Sequence, residues 1–540
     1  MPMTKETSPS WWAAGALYQI YPRSFQDSDS DGIGDLRGII DRLDHLSDLG
    51  VDALWLSPIF PSPMADFGYD VADYVGIDPI FGTMDDFDAL VLTAHARGLK
   101  VILDLVPNHS SDQHPWFVES RSSRDNPKRD WYLWRDPAPD GGPPTNWLSE
   151  FGGSGWEYDD ATGQYYYHAF LKQQPDLNWR NPQVRAAIYD AMRFWLKKGV
   201  DGFRVDVIWH LIKDDRYRDN PPNPEFRPGL PPHAALLTAY SADRPETQEI
   251  VAQLRAVCDE FDQRLLIGEI YLPIERLVAY YGADLRGAHL PFNFALLSTP
   301  WRAHDIAALI DRYEAALPPG AWPNWVLGNH DRPRVASRVG PAQARVAAML
   351  LLTLRGTPTL YYGDELGMEQ VDIAPQDVQD PFEKNVPGIG VGRDGCRTPM
   401  PWDSSPNAGF SDAKPWLPLG PDAAQDNVAN LRADAQSILN LYRALLRLRR
   451  ARPQLSLGDY QPLAVQGELL LYRRCHQGES VLIALNLGAA PVSAASDAFG
   501  LDGEVLLSTL MDRAGERVGA TLDLRGHEGV IIGRAPEPVV

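Results

Sequence analysis

Three carboxylic acids stand at the ends of apolar runs that lie far apart in the chain, namely Asp206, Glu269 and Asp331. Arg204 precedes Asp206 by two positions, and because strand side chains alternate between two faces, these two are predicted to share a face. A carboxylate buried at the end of an apolar run costs free energy unless it is paired with a cation or used in chemistry. One carboxylate that attacks a sugar and a second that protonates the leaving oxygen form the site of a retaining glycosidase. For any single acid, an ordinary inward ion pair is the alternative interpretation.

Histidines accompany two of the apolar runs. His109 follows the run that carries Asp104, and His330 immediately precedes Asp331. Polar and ionisable side chains thus occur at the ends of four separate runs. Agreement among four run ends favours one shared site over four unrelated ion pairs.

The elements that must position these residues alternate between strand-like apolar runs and amphipathic helical patterns, as in βα units around a parallel sheet. The predicted strands are residues 17–21, 53–57, 101–105, 202–207, 265–270, 291–296, 325–328 and 359–362. The predicted helices are residues 38–49, 85–97, 182–198, 246–261, 306–317 and 341–354. Eight strands in such a series indicate a TIM barrel, in which functional side chains lie at the C-terminal strand ends.

The βα series is interrupted once and ends before the C-terminus. About seventy residues separate the third predicted strand from the helix that opens at Pro182, which is far longer than a usual βα loop. Beyond residue 455, short alternating runs without helices indicate antiparallel strands. The predicted fold is therefore α/β, with these parts: a (β/α)8 TIM barrel in residues 1–104 and 181–454, an inserted subdomain after the third strand in residues 105–180, and a C-terminal antiparallel β-sandwich domain in residues 455–540.

Charge and composition exclude several partners. The chain has 72 Asp and Glu against 50 Lys and Arg, a formal net charge of -22 at pH 7. A field of this sign repels nucleic acids and anionic membranes, so neither is an expected partner. The N-terminus lacks a signal-peptide pattern, and the three distant cysteines fit a reducing compartment. We predict a cytoplasmic monomer or homodimer, with an undetected cleaved leader as the alternative.

The motifs together resemble those of the α-amylase family (glycoside hydrolase family 13). Its four central motifs are matched in order by Asp104-Leu-Val-Pro-Asn-His109, Gly202-Phe-Arg-Val-Asp206, Gly268-Glu269 and Asn329-His-Asp331. Segments similar to the oligo-1,6-glucosidase and α-glucosidase group are Gln174-Pro-Asp-Leu-Asn178, Asp66-Phe-Gly-Tyr69 and Arg397-Thr-Pro-Met-Pro-Trp-Asp403. The resemblance covers roughly residues 18 to 403 and implies an α-glucosidase.

The resemblance implies a role for each matching residue. Asp206 would be the nucleophile that forms a β-glucosyl-enzyme intermediate, and Arg204 would keep it ionised and oriented. Glu269 would be the general acid and then the base, and Asp331 would bind two hydroxyls of the sugar. The other substrate-binding residues that the resemblance implies are Asp66, Tyr69, Asp104, His109, Phe151, Phe170, His330 and Arg397.

The resemblance also implies which end of the substrate the enzyme cleaves. Asp66 with Arg397 would close the pocket beyond the non-reducing end, so that one glucosyl unit is released to water or transferred to an alcohol acceptor. Short α-glucosides of the maltose type are the favoured substrates. No catalytic cofactor is implied.

A separate acidic loop has the spacing of a cation site. Asp27, Asp29, Asp31 and Asp35 supply carboxylates at alternate positions, as in the first part of an EF-hand loop, although Gly38 stands where its last acid would be. An Asp-rich turn is the alternative. The resemblance implies a structural Ca²⁺ or Mg²⁺ held by these four acids and the carbonyl of Ile33.

Alternatives remain at two levels. Within the family, an oligo-1,6-glucosidase, a trehalose-forming enzyme and a sucrose-acting enzyme stay open: Val207 resembles the α-1,6 pattern, whereas Ile208-Trp209-His210 resembles bacterial α-glucosidases of broader linkage use. Outside it, a metal-dependent amidohydrolase would need a His-x-His pair, which none of the 12 histidines forms. A non-catalytic interaction protein with the same barrel would have lost the acids, and all three acids are present.

Overall fold

A barrel of parallel strands forms the centre of the computed structural model, which describes residues 10–495 and 503–534. Its eight strands are β1 (Leu17–Ile20), β2 (Ala53–Leu56), β3 (Lys100–Leu105), β4 (Gly202–Val205), β5 (Leu265–Gly268), β6 (Leu290–Pro291), β7 (Asn324–Val326) and β8 (Thr357–Tyr361). They are hydrogen-bonded in the order β7-β8-β1-β2-β3-β4-β5-β6, which leaves the barrel nearly closed. The predicted fold class is confirmed, although residues 1–9, 496–502 and 535–540 of the predicted domains lie outside the described residues.

The long helices of the barrel lie within three residues of their predicted limits, except that residues 38–49 form two helices and Ile438–Ala451 was not predicted. They are Leu36–Asp41, Leu43–Leu49, Met84–Ala96, Pro182–Lys197, Thr247–Asp259, Ala303–Ala316, Pro341–Thr353 and Ile438–Ala451. Shorter helices are Trp11–Ala14, Pro115–Ser122, Ile274–Leu277, Ala295–Ser298, Val335–Val339, Pro381–Asn385, Val428–Ala433 and Pro453–Ser456. Local signals set several starts: the side chain of Asn181 accepts the N–H of Gln183, and Pro182 occupies the first turn. No helix in the described part of the chain is long and apolar enough to cross a membrane.

The sixth strand is shorter than predicted. Residues 291–296 were expected to be extended, but β6 ends at Pro291 and a helical turn, Ala295–Ser298, follows. Proline cannot donate a hydrogen bond to a neighbouring strand. The side chain of Asn293 accepts the N–H of Ala295, which favours the turn over further extension.

Strand parity decides which side chains enter the barrel. Leu17, Trp55, Ile102 and Ile267 belong to the cluster of buried side chains inside it, whereas neighbouring positions such as Leu54 belong to the larger core beneath the helices. Because alternate residues share a face, the inner face of β3 and β4 also carries polar side chains near the strand ends. These polar residues are the start of the candidate site.

Two smaller units are attached to the barrel. The insert after β3 holds a three-stranded antiparallel sheet of Trp134–Arg135, Gln164–Tyr167 and Trp156–Asp159. The C-terminal unit has a five-stranded sheet of Asp459–Gln466, Leu469–His476, Glu479–Asn486, Gly529–Gly533 and Glu504–Ser508, and a two-stranded sheet of Val492–Ala495 and Thr521–Leu524. Side chains of both sheets, including Leu471 and Leu522, share one apolar cluster. The C-terminal sheets therefore pack face to face, as in a sandwich.

Candidate active site

One buried guanidinium joins three acids from three strands. Nη1 of Arg204 lies 2.8 Å from a carboxylate oxygen of Asp104 and 2.7 Å from one of Asp206. Its Nη2 lies 2.9 Å from a carboxylate oxygen of Glu269. The acids lie on or directly after β3, β4 and β5, which pair side by side in the barrel. The adjacent C-terminal strand ends thus bring together residues that are distant in sequence.

The charge balance of this group favours a retained proton. Burial raises the pKa of Asp206 well above its usual value, and Glu269 raises it further. Burial likewise raises the pKa of Glu269, and it raises the pKa of Asp104 to about 7 although Arg204 opposes the change. A single guanidinium cannot offset three buried negative charges. The three acids therefore share at least one proton near neutral pH.

The turn after β4 is strained and links two of the acids. Val207, directly after Asp206, has φ 36° and ψ 46°, a left-handed conformation that is unfavourable for a β-branched residue. In this conformation the N–H of Val207 donates a hydrogen bond of 2.9 Å to the carboxylate of Glu269. The strained peptide unit therefore holds the Glu269 carboxylate beside Asp206.

A chain of hydrogen bonds fixes the ring of His330. The side-chain amide of Gln19 lies 2.7 Å from Nδ1, and the hydroxyl of Tyr69 lies 2.7 Å from Nε2. Burial lowers the pKa of His330 well below its usual value, so the ring is neutral. With Gln19 donating to Nδ1, the proton lies on Nε2 and is directed to the Tyr69 oxygen, and Tyr69 donates to Asp104 at 3.1 Å. This series of hydrogen bonds therefore connects Gln19 on β1 with Asp104, one of the three acids bound to Arg204.

The closed end of the pocket depends on an arginine that was not predicted. We expected Asp66 to close the pocket with Arg397, but the guanidinium bound to Asp66 belongs to Arg393, at 2.6 Å. The same guanidinium lies 3.3 Å from Asp331. Arg397 is buried beneath this pair, where it donates to Asp331 at 2.9 Å and to the carbonyl of His330 at 2.7 Å. Arg397 therefore orients Asp331, and Arg393 forms the wall.

Asp380 holds Arg393 in this position. Its carboxylate, which is fully buried, accepts hydrogen bonds from Nε of Arg393 at 3.0 Å and from Nη2 at 2.6 Å. Burial would raise the pKa of Asp331, but contacts with His330, Arg393 and Arg397 lower it well below its usual range. Asp331 is therefore ionised and able to accept hydroxyl groups.

The remaining predicted residues that line the pocket are His109, Phe151 and Phe170. Nε2 of His109 lies 3.1 Å from the carbonyl of Tyr69, and its ring centre lies 5.2 Å from that of Phe170. Phe170 contacts Phe151 at 5.8 Å between ring centres. The guanidinium of Arg393 lies over Phe151 at 4.9 Å, so an aromatic surface of the insert continues the wall that Arg393 begins.

A cavity of about 500 Å³ connects these residues. This volume lies within the range of small-molecule sites. It is lined by Asp66, Tyr69, His109, Phe151, Phe170, Asp206, Glu269, His330 and Asp331 among the predicted residues. Asp104, Arg204 and Arg397 lie behind the lining, so their contact with a substrate would be indirect.

Several lining residues were missed by the sequence analysis. Gln174, whose amide lies 3.4 Å from Asp66, belongs to a quoted motif but had no role assigned. Nδ1 of the buried His210 has no hydrogen-bond partner in the described part of the chain and is available to a ligand. Arg393 and Asp380 lie in a long irregular segment after β8, where no periodic pattern marks them.

The acidic loop after β1 gathers three of the four predicted carboxylates. Oxygens of Asp27, Asp29 and Asp35 all lie within 4.8 Å of one another. The Asp31 carboxylate instead accepts the N–H of Ile33 at 2.7 Å. Burial and the neighbouring acids raise the pKa of Asp29, which marks an excess of negative charge that suits a hard cation.

Comparisons with known proteins agree with this arrangement. A model of the α-amylase catalytic domain matches residues 19–458. A probable α-glucosidase of Rhizobium meliloti (strain 1021) is 45% identical over 501 residues, covering 89% of this chain and 90% of that protein. An oligo-1,6-glucosidase of Heyndrickxia coagulans is 40% identical over 523 residues, covering 89% of this chain and 93% of that protein.

Solved structures extend the similarity to the whole architecture. An α-glucosyl transfer enzyme, XgtA, is 42% identical with a TM-score of 0.91, covering 97% of this chain and 100% of that one. The trehalulose synthase MutB from Pseudomonas mesoacidophila MX-45 is 34% identical with a TM-score of 0.89, covering 98% and 100%. The similar structures thus include proteins described by glucosyl transfer and by trehalulose synthesis.

Proposed function

Because the chain belongs to the α-amylase family and is a glycoside hydrolase, we propose that it is a retaining, exo-acting α-glucosidase. Its substrates are short α-glucosides of the maltose type, from which it removes one glucosyl unit at the non-reducing end. The single observation that carries the proposal is that one guanidinium, that of Arg204, contacts both Asp206 and Glu269. A retaining site needs its two carboxyl groups about 5–5.5 Å apart, and a shared guanidinium supports a separation of this order.

In the first step, Asp206 attacks the anomeric carbon. A bond forms between its carboxylate oxygen and that carbon, the bond to the leaving oxygen breaks, and Glu269 gives its proton to the leaving oxygen. In the second step, Glu269 takes a proton from water, the water oxygen bonds to the anomeric carbon, and the ester to Asp206 breaks. Two inversions give net retention.

The shared proton suits these roles. Burial and the negative charge of Asp331 raise the pKa of Glu269, which favours its protonated form before the first step. After Glu269 has given this proton to the leaving oxygen, its carboxylate suits the role of base in the second step. Arg204 stabilises the Asp206 carboxylate before attack and after release.

The closed end supports an exo mode of action. Asp66 and Arg393 block the pocket on the side of Asp331, so a chain of sugars cannot extend through it. Asp331 would accept hydrogen bonds from hydroxyls of the terminal glucose, and His330 lines the pocket beside it. Only the terminal unit then reaches Asp206.

Glucosyl transfer is the second reaction that we propose. The intermediate on Asp206 is attacked by whichever hydroxyl group reaches it, and an alcohol or a second sugar can take the place of water. The similarity to an α-glucosyl transfer enzyme supports this second reaction.

We also propose that Asp27, Asp29 and Asp35 hold a structural Ca²⁺ or Mg²⁺.

The proposal is tested by product analysis. The purified protein is incubated with p-nitrophenyl α-glucoside, maltose, isomaltose, sucrose and trehalose, with and without an added alcohol, and the glucose anomer first released from p-nitrophenyl α-glucoside is read by NMR. We expect α-glucose to appear first and maltose to be preferred over isomaltose. Initial β-glucose would refute retention, and no release from any substrate would favour a non-catalytic protein with this barrel.

A further inference from the structure

The outer wall of the pocket is built where two long connections meet. One is the insert after β3, and the other is a loop after β4 that holds six prolines within residues 219–232. At the base of the loop, the side chain of Asn146 donates to the carbonyl of Asn220 at 2.9 Å and accepts the N–H of that residue at 2.8 Å. The indole of Trp147 donates to the carbonyl of Arg218 at 2.8 Å. The insert and the proline-rich loop are thus joined at their base.

A second contact joins their tips. Nε2 of His233, from the proline-rich loop, lies 3.0 Å from a carboxylate oxygen of Glu150, from the insert. Nδ1 of the same ring lies 2.8 Å from the carbonyl oxygen of Glu150. A carbonyl oxygen can only accept, so Nδ1 donates, and the second nitrogen faces the carboxylate. Both polar atoms of the His233 ring are therefore engaged by one residue of the other connection.

The tip contact lies at the open end of the cavity. Glu150 and His233 line the same cavity as Asp206 and Glu269. Their side chains are 27% and 23% exposed, whereas those of Asp66 and Arg393 at the closed end are 5% and 9% exposed. This gradient distinguishes the buried end, where the terminal sugar would bind, from the rim, which a leaving group or acceptor must pass.

Aromatic and basic side chains extend the rim on either side of the contact. The ring of Phe382 lies 4.9 Å from that of Phe151 and 6.4 Å from that of His233. The guanidinium of Arg332, which also lines the cavity, lies over Tyr271 at 4.9 Å. Phe382 and Arg332 therefore line the same cavity as Glu150 and His233.

We propose that the Glu150–His233 contact is a latch that determines how large a leaving group or acceptor the open end admits. This inference rests on the proposed function, because it concerns the substrates of the same site. While the latch is closed, the two connections hold the rim narrow and favour a single sugar beyond the terminal glucose. When it is broken, the base contacts still anchor the loop but the tips separate, and a longer glucan fits.

The test compares substrates that differ by one sugar. The ratio of kcat/KM for maltotriose to that for maltose is measured for the wild type and for H233A, E150A and E150Q. We expect the ratio to rise about tenfold in H233A, since a pocket that excludes one extra group discriminates by this order. It rises less in E150A, which keeps the backbone contact, and stays near the wild-type ratio in E150Q, which keeps an acceptor oxygen.

The matched control is R312A, which breaks an ion pair whose side chains, Arg312 and Glu275, are 57% and 59% exposed. A merely structural role for the latch would lower the unfolding temperature without changing the substrate ratio. An unchanged ratio in both H233A and E150A, with an active wild type, would overturn the latch alone. A wild type without activity on any α-glucoside would overturn the proposed function and the latch with it.

Discussion

The guanidinium of Arg393 lies 2.6 Å from the carboxylate of Asp66, although the two residues are 327 positions apart in the chain. Neither residue lies on a barrel strand, and each is supplied by a loop above a strand end. Their contact converts an open barrel mouth into a pocket with one closed end. The proposed release of single glucosyl units depends on this pair.

Removal of this arginine is expected to impair activity strongly. R393A leaves Asp66 and Asp380 buried without their cation, which should destabilise the fold by about 3 kcal/mol. It also removes the proposed wall of the sugar site, and a misplaced substrate should lower kcat/KM about a hundredfold. The measurement is p-nitrophenyl α-glucoside hydrolysis, with R312A as the exposed control. Wild-type kcat/KM in R393A would show that the pair does not form the sugar site.

Replacement of the proposed nucleophile separates covalent catalysis from simple binding. D206N is expected to lose about 10⁴-fold or more in kcat, because no carboxylate remains to attack the sugar. In D206A, added azide should occupy the vacated space and yield β-glucosyl azide from an activated α-glucoside. Formation of the α-azide, or full activity of D206N, would contradict the assignment.

The sequence carried strong information about the strand ends. Short apolar runs between helical patterns predicted the strands, and parity predicted that Arg204 and Asp206 share a face, which agrees with their 2.7 Å contact. The wall formed by Arg393 was not predictable in the same way. Its partners Asp66 and Asp380 are brought to it by irregular segments, whose path is set by tertiary contacts rather than by periodic patterns.

The sixth strand shows the same limit at a smaller scale. Its apolar composition favoured an extended run, but the chain turns where the Asn293 side chain accepts a hydrogen bond from the N–H of Ala295. Competition of this kind between an apolar pattern and a short-range polar contact is not resolved by composition alone.

Stability should fall as the pH rises from about 4 to about 7 because of Asp364. Burial raises the pKa of this carboxyl to about 7. The native state then keeps a proton that the unfolded chain loses near its usual pKa of about 4, so the free energy of unfolding is highest below that pH and decreases up to the native pKa. D364N has no such proton to lose.

The corresponding measurement is urea unfolding between pH 4 and 8. Relative to the wild type, D364N should gain about 1.4 kcal/mol for each pH unit between about 4 and 7. D284N, which changes an acid that is 83% exposed, serves as the control. Parallel stability curves for D364N and the wild type would contradict the expected ionisation.

Removal of the proposed cation should affect stability rather than chemistry. A chelator is expected to lower the unfolding temperature, and added Ca²⁺ or Mg²⁺ should restore it. An ion at a free concentration of a hundred times its Kd stabilises the native state by about 2.7 kcal/mol. D29N should show the lower temperature without responding to the chelator, whereas D160N should respond like the wild type. Loss of turnover at an unchanged unfolding temperature would argue against a structural ion.

The left-handed conformation of Val207 has a consequence for how Asp206 and Glu269, the two acids proposed to be catalytic, can be studied. The peptide that strains the chain directly after Asp206 is also the peptide whose N–H holds Glu269. A change at Glu269 therefore releases a restraint on the segment that carries Asp206, and a change at Asp206 alters the turn that orients Glu269. The effects of substitutions at Asp206 and Glu269 on the rate are therefore not expected to be additive.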